Sequence, residues 1–401
     1  MSWYLHDETP PGVHICYFTD SLQPSGVGVH LLNLLRWLDL TRFQVSLVCP
    51  GTEDGWRLMT RAARLGASVY PMTVREQSDE PAIRQLVELL QRENVAIFHS
   101  QVGISWEGMT GLRAAHRAGV PVRIVTEHLP YLLTHPGQVA EHWVTTPLAH
   151  RVITVSEAAR RSFVLRGYPE DQFICIHNGI EPPRRRSPQE CAELRQALGV
   201  PSQAPLLLTV ARMTPQKGYD VLLEAVPQIL RDYPDSYFAW VGEGPEREAL
   251  SARAHEMGVA SAVHFLGHRD DVPALMSAAD LLILPSRFEG HPIAALEALS
   301  LGLPVVGTRV CGMDEAVADG ETGLLVDAEH PEALAAATVE LLGDPARRQR
   351  MGEAGRARIH ERFTARLMAR ATMELYEQLL AAHLPHYRLL HTESTLAARA
   401  G

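Results

Sequence analysis

The stretch Pro285-Ser286-Arg287-Phe288-Glu289-Gly290-His291-Pro292-Ile293-Ala294-Ala295-Leu296-Glu297-Ala298-Leu299-Ser300-Leu301 decides how this chain folds and what it binds. It follows the apolar run Leu281–Leu284, which reads as a buried parallel strand. Pro292 suits the first position of a helix, where its missing N–H costs nothing, and Gly302 suits the stop. A strand, a loop and a helix N-terminus bring free N–H groups and the positive end of the helix dipole together, so the loop is an anion site. Two carboxylates flank it, Glu289 in the loop and Glu297 in the second turn of the helix. Either would repel a phosphate, so both are better matched to sugar hydroxyls, which donate well to an ionised acceptor. The stretch therefore reads as a nucleotide-sugar pocket.

Working outward, 401 residues are too many for one ordinary core and predict two domains. A hydrophobic share of 46% with 21% charged residues is that of a water-soluble globular chain. A formal charge of −10 argues against general nucleic-acid binding, which needs a basic face. The five cysteines (Cys16, Cys49, Cys175, Cys191, Cys311) form no Cys-x-x-Cys pair. An odd, scattered set fits a reducing cytoplasm, and three of them sit in apolar runs as small core residues. The first eleven residues carry His6, Asp7 and Glu8 without an apolar core, so they do not read as a signal peptide. No apolar run is long enough to span a bilayer. The nineteen histidines show no His-x-x-x-His helix and no Cys/His cluster, so no metal site is expected.

The chain alternates strand and helix throughout. Strands are expected at 13–18, 43–49, 68–71, 95–100, 122–127, 151–155 and 173–177, with helices such as 81–92, 105–118 and 157–166 between them. Residues 21–28 read as a glycine-bearing loop before an amphipathic helix with Leu31, Leu32, Leu35 and Leu38 on one face. The loop is a phosphate-approach element or simply a tight turn; its third glycine is missing, so it is not the dinucleotide fingerprint. Ligands of doubly wound sheets lie at the carboxyl ends of strands, which singles out Asp20, Gln101, His128, Ser156 and Asn178. Pro182-Pro183-Arg184-Arg185-Arg186-Ser187-Pro188 reads as a linker whose arginines form a solvated face rather than a lipid contact. Strands then restart at 206–210, 237–241, 263–266, 281–284, 304–307 and 323–326, and the chain closes in helices at 331–342, 345–361 and 364–382. The fold class is α/β, with two Rossmann-like doubly wound parallel-sheet domains. Expected boundaries are an N-terminal extension (1–12), a first domain (13–182), a linker (183–200), a second domain (201–363), a crossover helix (364–385) and a tail (386–401).

Arg212 and Lys217 flank one strand–helix turn of the second domain. Two cations beside a helix N-terminus neutralise a diphosphate leaving group, or else are surface charges. Glu289 and Glu297 do not read as a glycosidase pair, since nothing else supports hydrolysis. His128 is a structural histidine or a site residue at the sheet edge. There is no Gly-x-Ser-x-Gly elbow and no Walker loop.

Glu289 to Glu297 is a Glu, seven residues, Glu motif. With Arg212, Lys217 and the N-terminal glycine loop, it resembles the family-four retaining glycosyltransferases of the GT-B fold, the glycosyl transferases group 1. So do Ile153-Thr154-Val155-Ser156, Ile176-His177-Asn178-Gly179-Ile180, Val241-Gly242-Glu243-Gly244-Pro245, Phe265-Leu266-Gly267 and Asp319-Gly320-Glu321-Thr322-Gly323-Leu324-Leu325-Val326. The resemblance implies two Rossmann-like domains facing a cleft, with the last helix crossing back to the first domain. The donor lies mainly on the second domain and the acceptor on the first. It assigns Arg212 and Lys217 to the diphosphate, Glu297 to the ribose and Glu289 to the sugar. Gly290, His291, Pro292 and Ile293 contact sugar or phosphate. Gly26, Val27 and Gly28 close over the phosphates, and His268 and Arg269 lie by the base. His128 stands near the reacting sugar, and Gln101, His128, Tyr131 and Asn178 form the acceptor side. The catalytic set is His128, Arg212, Lys217 and Glu289. Two departures stand out: Ser25-Gly26-Val27-Gly28 replaces adjacent glycines, and Gln101 replaces a second histidine.

The implied activity is transfer of a hexose from a nucleotide diphosphate sugar, UDP-sugar first and GDP-sugar second, to an acceptor hydroxyl with retention. The setting is cell-surface glycan, glycolipid or small-molecule glycoside synthesis, with no cofactor and no metal. Expected partners are the nucleotide-sugar donor and a glycan, lipid-linked or small-molecule acceptor, without nucleic acid. A nucleotide-sugar epimerase and an inactive nucleotide- or glycan-binding protein are the alternatives. The acceptor depends on first-domain loops at 101–107 and 129–143, and the second loop, with Leu129, Pro130, Tyr131, Leu132, Leu133 and Trp143, serves a hydrophobic acceptor, a peripheral membrane contact of a cytoplasmic protein at the inner face, or ordinary packing under a lid.

Overall fold

The computed structural model describes residues 12–76, 79–103, 107–201 and 203–384. Residues 1–11 of the expected extension, the tail, residue 385 and the expected helix start at 105 lie outside the described residues. The chain divides into two compact units. One comprises the described residues of Met1–Thr154, Val164–Ile176 and Met368–Gly401; the other comprises Val155–Phe163 and His177–Leu367. No described helix is long and apolar enough to cross a membrane.

The first unit is built on β1 (Val13–Phe18), β2 (Phe43–Cys49), β3 (Ser68–Pro71), β4 (Ile97–Val102), β5 (Val122–Glu127), β6 (Arg151–Thr154) and β7 (Phe173–Cys175). They form one parallel sheet in the order β3-β2-β1-β4-β5-β6-β7. The central strands are buried on both faces, and the polar residues they carry, such as His99, Ser100 and Gln101 of β4, are buried with them. Ile15 and Tyr17 point into one core, Cys16 and Phe18 into the other, as a period of two requires.

The helix Ala365–His383 joins this unit from Met368 onward. Met368, Ala369, Leu375, Tyr376, Leu379 and Leu380 share a core with Ile15, Tyr17 and Leu47. Tyr376 keys the helix to the sheet. Its Oη lies 2.9 Å from Tyr17 Oη and 2.6 Å from His99 Nδ1, and His99 Nε2 reaches Thr126 Oγ1 at 2.7 Å. These polar atoms are buried, so the network must close on itself.

The second unit holds β8 (Leu206–Val210), β9 (Tyr237–Val241), β10 (Val263–Gly267), β11 (Leu281–Leu284), β12 (Val305–Thr308) and β13 (Gly323–Val326). All run parallel, in the order β10-β9-β8-β11-β12-β13. Leu206, Leu208, Leu282 and Leu284 line one face, and Leu207, Leu281 and Ile283 the other. The doubly wound class expected from the alternation is what the chain forms.

Several local expectations need correction. Residues 21–28 are not a loop throughout: the helix Ser25–Trp37 begins at Ser25 and takes Gly26 and Gly28 into its first turn. The stretch 129–143 contains a helix, Pro136–Thr145, with Pro136 at its first position. Within 183–200 lies the helix Pro188–Ala197, started by a Ser187/Glu190 capping box. Glu190 also receives Arg184 and Arg186 at 3.0 Å each, so part of the arginine run answers that carboxylate. Strand β4 sits two residues later than expected, and β7 ends at Cys175.

Replacing Tyr376 with Phe removes one buried hydroxyl and leaves Tyr17 and His99 short of a partner. The Tyr376→Phe variant should lose about 1–3 kcal/mol of stability by chemical denaturation. A midpoint equal to wild type would show that the network contributes nothing.

Candidate active site

Both sheets reverse direction once. In the second unit the connections run from β8 outward to β9 and β10, then return to β11 on the other side of β8. The helices that follow β8 and β11 therefore pack on opposite faces of the sheet, and such a switch point is where doubly wound sheets hold ligands. The 3₁₀ turn Pro215–Lys217 follows β8, and residues 285–292 follow β11. The two loops are knit together. Gly218 has φ +65°, and a Cβ there would stand 2.1 Å from Pro285 O, so only glycine fits. Gln216 Nε2 donates to Phe288 O at 3.1 Å, and Arg287 N donates to Gln216 O at 2.8 Å.

This knitting places Lys217 Nζ 2.6 Å from Glu289 Oε1, and Ser286 Oγ donates to the same oxygen at 2.7 Å. The side chains are only 19% and 7% exposed. A carboxylate so buried needs a cation, and Lys217 supplies it. Sequence reasoning gave these residues separate ligands; the structure brings them into direct contact. A lysine has three donors, so two remain for another acceptor. Arg212 follows β8 at once, half-buried, and among the described residues its guanidinium has no side-chain partner. Thr214 Oγ1, between the two cations, is buried and also unpartnered.

The helix Ile293–Leu301 completes the crevice. Pro292 is its N-cap, with ψ 112°, and not its first helical residue. No side chain caps this end and no acidic residue lies in the first turn, so its leading amides remain open to an anion. Glu297 is half-buried in the second turn, and Gly302 ends the helix at φ +81°. Gly290 and His291 precede the helix. His291 is buried between His177 and Phe363, with ring centroids 5.1 and 4.9 Å away, and burial drives its pKa down to about 3. Neither of its ring nitrogens has a partner. Asn178 groups with this unit, where its Nδ2 donates to His291 O at 2.8 Å. His268 and Arg269 follow β10 at the sheet's edge, away from the switch point. Arg269 is held by Asp271 at 2.6 and 2.7 Å, and His268 lies 3.5 Å from Asp270.

The first unit has its own switch point between β1 and β4. Gly26, Val27 and Gly28 occupy the helix turn after β1. A Cβ on Gly26 would meet nothing within 4 Å, so the fold alone does not demand glycine there. His128 follows β5. Its Nε2 lies 2.8 Å from Gln101 Oε1, and its ring meets His30 edge-on at 4.8 Å. Burial first, and then the neighbouring His30 and His99, hold its pKa well below the usual value. Gln101 Nε2 is buried and unpartnered. Tyr131 lies in an aromatic cluster, under Arg166 at 5.2 Å and 6.1 Å from Tyr168.

Two further residues stand at this switch point: His30, which sequence reasoning missed, and Asp20, which it singled out as a strand-end position without giving it a role. His30 is a buried polar residue on a leucine face, a visible signal. Asp20 closes β1. Its Oδ1 accepts from Gly108 N at 2.6 Å, its Oδ2 has no partner, and burial raises its pKa to about 7.

Comparison with known proteins follows the same division. A family described as "Glycosyl transferases group 1" matches residues 191–358, and one described as "Glycosyltransferase Family 4" matches residues 24–184. A GDP-mannose-dependent alpha-(1-6)-phosphatidylinositol monomannoside mannosyltransferase of Mycolicibacterium smegmatis is 31% identical over 339 residues, which is 78% of this chain and 85% of that protein. A D-inositol 3-phosphate glycosyltransferase of Corynebacterium urealyticum is 37% identical over 194 residues, 46% of each chain. The crystal structure of Anabaena HepE in complex with UDP-glucose has a TM-score of 0.79 at 22% identity, over 91% of this chain and 99% of that one. Together with the two parallel sheets, this likeness gives the GT-B fold.

Asp20 titrates near 7 when folded, against 3.8 for a free aspartate. The folded protein therefore holds this proton more tightly than the unfolded chain does. Its contribution to stability is complete below about pH 4 and is lost as pH rises through about 7. Asp20→Asn, which keeps the Gly108 bond, should gain stability relative to wild type across that window, on the order of 3 kcal/mol by pH 8. Denaturation curves of the two proteins that stay parallel from pH 4 to 8 would contradict a buried, protonated Asp20.

Proposed function

The chain belongs to the glycosyl transferases group 1, and we propose that it moves a hexose from a nucleoside diphosphate sugar to an acceptor hydroxyl with retained anomeric configuration. The observation that carries this reading is the Lys217–Glu289 pair at the switch point, beside Arg212 and the uncapped helix Ile293–Leu301.

The chemistry follows from charge. As the glycosidic bond to phosphate lengthens, the sugar becomes oxocarbenium-like and negative charge grows on the leaving diphosphate. Arg212, the free donors of Lys217 and the leading amides of the helix stabilise that charge where it develops. Drawing Lys217 toward phosphate leaves Glu289 to accept bonds from sugar hydroxyls, with Ser286 holding its other contact. Glu297 accepts from the ribose, one turn into the helix. The acceptor proton passes to the leaving phosphate on the same face, so no strong protein base is required. His128, held neutral, orients substrate hydroxyls in the first unit together with Gln101. With two cations on the diphosphate, the reaction proceeds without a divalent metal ion.

Two donor classes deserve testing first. HepE is seen with UDP-glucose, and the M. smegmatis relative is named for GDP-mannose. Leu132, Trp143, Val144 and Leu165 are 38, 40, 69 and 85% exposed, around Tyr131 and Arg166, which supports an amphipathic or lipid-linked acceptor met from the cytoplasm. The epimerase alternative would turn over UDP-GlcNAc with no acceptor present, and both matched families are transferases.

A thermal-shift panel of nucleotide sugars ranks donors, because stabilisation grows with concentration over affinity. A UDP- or GDP-sugar should raise the midpoint of the wild-type protein. Lys217→Ala and Glu289→Gln should each lower turnover of that donor by about 100-fold or more. Near wild-type turnover in both variants would contradict the site.

A further inference from the structure

Arg287 stands between the loops that carry Lys217 and Glu289. A guanidinium has five N–H donors, and at Arg287 every one is used. Nη1 donates to Pro215 O at 2.5 Å and to Asp220 Oδ1 at 2.9 Å. Nη2 donates to Asp220 Oδ2 at 2.7 Å and to Glu329 Oε2 at 3.1 Å. Nε donates to Glu329 Oε1. The acceptors come from different parts of the sheet's carboxyl edge. Pro215 opens the 3₁₀ turn after β8, Asp220 lies in the first turn of the helix Tyr219–Asp232, and Glu329 follows β13.

A second observation marks the same contact. Glu329 has φ +62°, one of two described non-glycine residues in the left-handed region. Residues with a Cβ avoid that region unless their surroundings hold them there. Both carboxylate oxygens of Glu329 are held by Arg287. On the backbone side, Arg287 N and the Gln216 side chain tie the same two loops again. Arg287 also offsets the charge of two carboxylates, Asp220 and Glu329.

We propose that Arg287 is a positioning residue for the donor site, fixing the turn of Lys217 against the loop of Glu289 and thereby setting how the two groups meet the diphosphate and the sugar. The proposal rests on the reading of Lys217 and Glu289 as donor residues. Lysine cannot replace this arginine, since it lacks the planar fork that takes two carboxylates side by side.

Calorimetric titration with UDP and with GDP tests the inference on the full-length wild type and on Arg287→Met, Arg287→Lys, Lys217→Ala and the Arg287→Met/Lys217→Ala double variant. Arg287→Met should weaken the better nucleotide about tenfold or more, and Arg287→Lys should recover little of that loss. If Arg287 acts through Lys217, adding Arg287→Met to Lys217→Ala should cost less than about threefold more. Losses that simply multiply, or a wild-type affinity in Arg287→Met, overturn the positioning role. Unchanged nucleotide affinity in Lys217→Ala, or no binding of either nucleotide by wild type, overturns the donor-site reading beneath it.

Discussion

The second unit depends on one ion pair, Lys217 with Glu289, 2.6 Å apart and nearly closed to solvent. It joins the first loop of the sheet to the fourth across the point where the strand order reverses. Removing one partner from such a pair strands a buried charge, at a cost of about 3–5 kcal/mol. Much of the surrounding sequence serves that contact. Gly218 lets the turn approach Pro285, Gln216 and Arg287 tie the loops, and Ser286 donates to the same Glu289 oxygen as Lys217. On the proposed reading, in which Lys217 takes phosphate and Glu289 takes sugar, the pair is also a resting state. A donor offers each residue a new partner at once, so binding exchanges one satisfied arrangement for another.

The first unit solves a different problem with different means. Its switch point holds no comparable ion pair among the described residues. It gathers groups whose charged form burial disfavours: His128 with its pKa well below the usual value, His99 near 3, and Asp20 raised to about 7. Neutral imidazoles hydrogen-bond hydroxyls in both directions without attracting phosphate. On the proposed reading, the cations of one switch point serve the nucleoside diphosphate and the neutral polar groups of the other serve a hydroxyl-bearing acceptor.

The fold was legible because buried parallel strands of the second unit are almost wholly apolar: Leu206–Val210, Tyr237–Val241 and Leu281–Leu284 need no partner information to be read. The two missed helices carried their own signals. Pro136 and Pro188 both stand at first helical positions, and Ser187 with Glu190 forms a capping box. Dense proline and arginine around 182–188, and aromatic residues around 129–143, masked them as linker and loop. Of the site, the residue types and strand-end positions were readable. The Lys217–Glu289 contact was not, because it spans two loops 72 positions apart whose meeting depends on strand order. Arg287 was hidden for the same reason. Its acceptors, Pro215, Asp220 and Glu329, lie on three segments, and no spacing in the sequence marks them. The helix at Ser25 was misplaced because glycines usually signal a loop; here Gly26 and Gly28 are simply helical.

The central claim is that the crevice between β8 and β11 holds the donor's diphosphate. Amide hydrogen exchange, followed by peptide with and without a saturating nucleotide sugar, tests it most directly. Protection should concentrate in residues 211–218 and 286–297, the two loops and the open helix end. Protection confined to other strand ends of the second unit, with those two segments unchanged, would contradict the account.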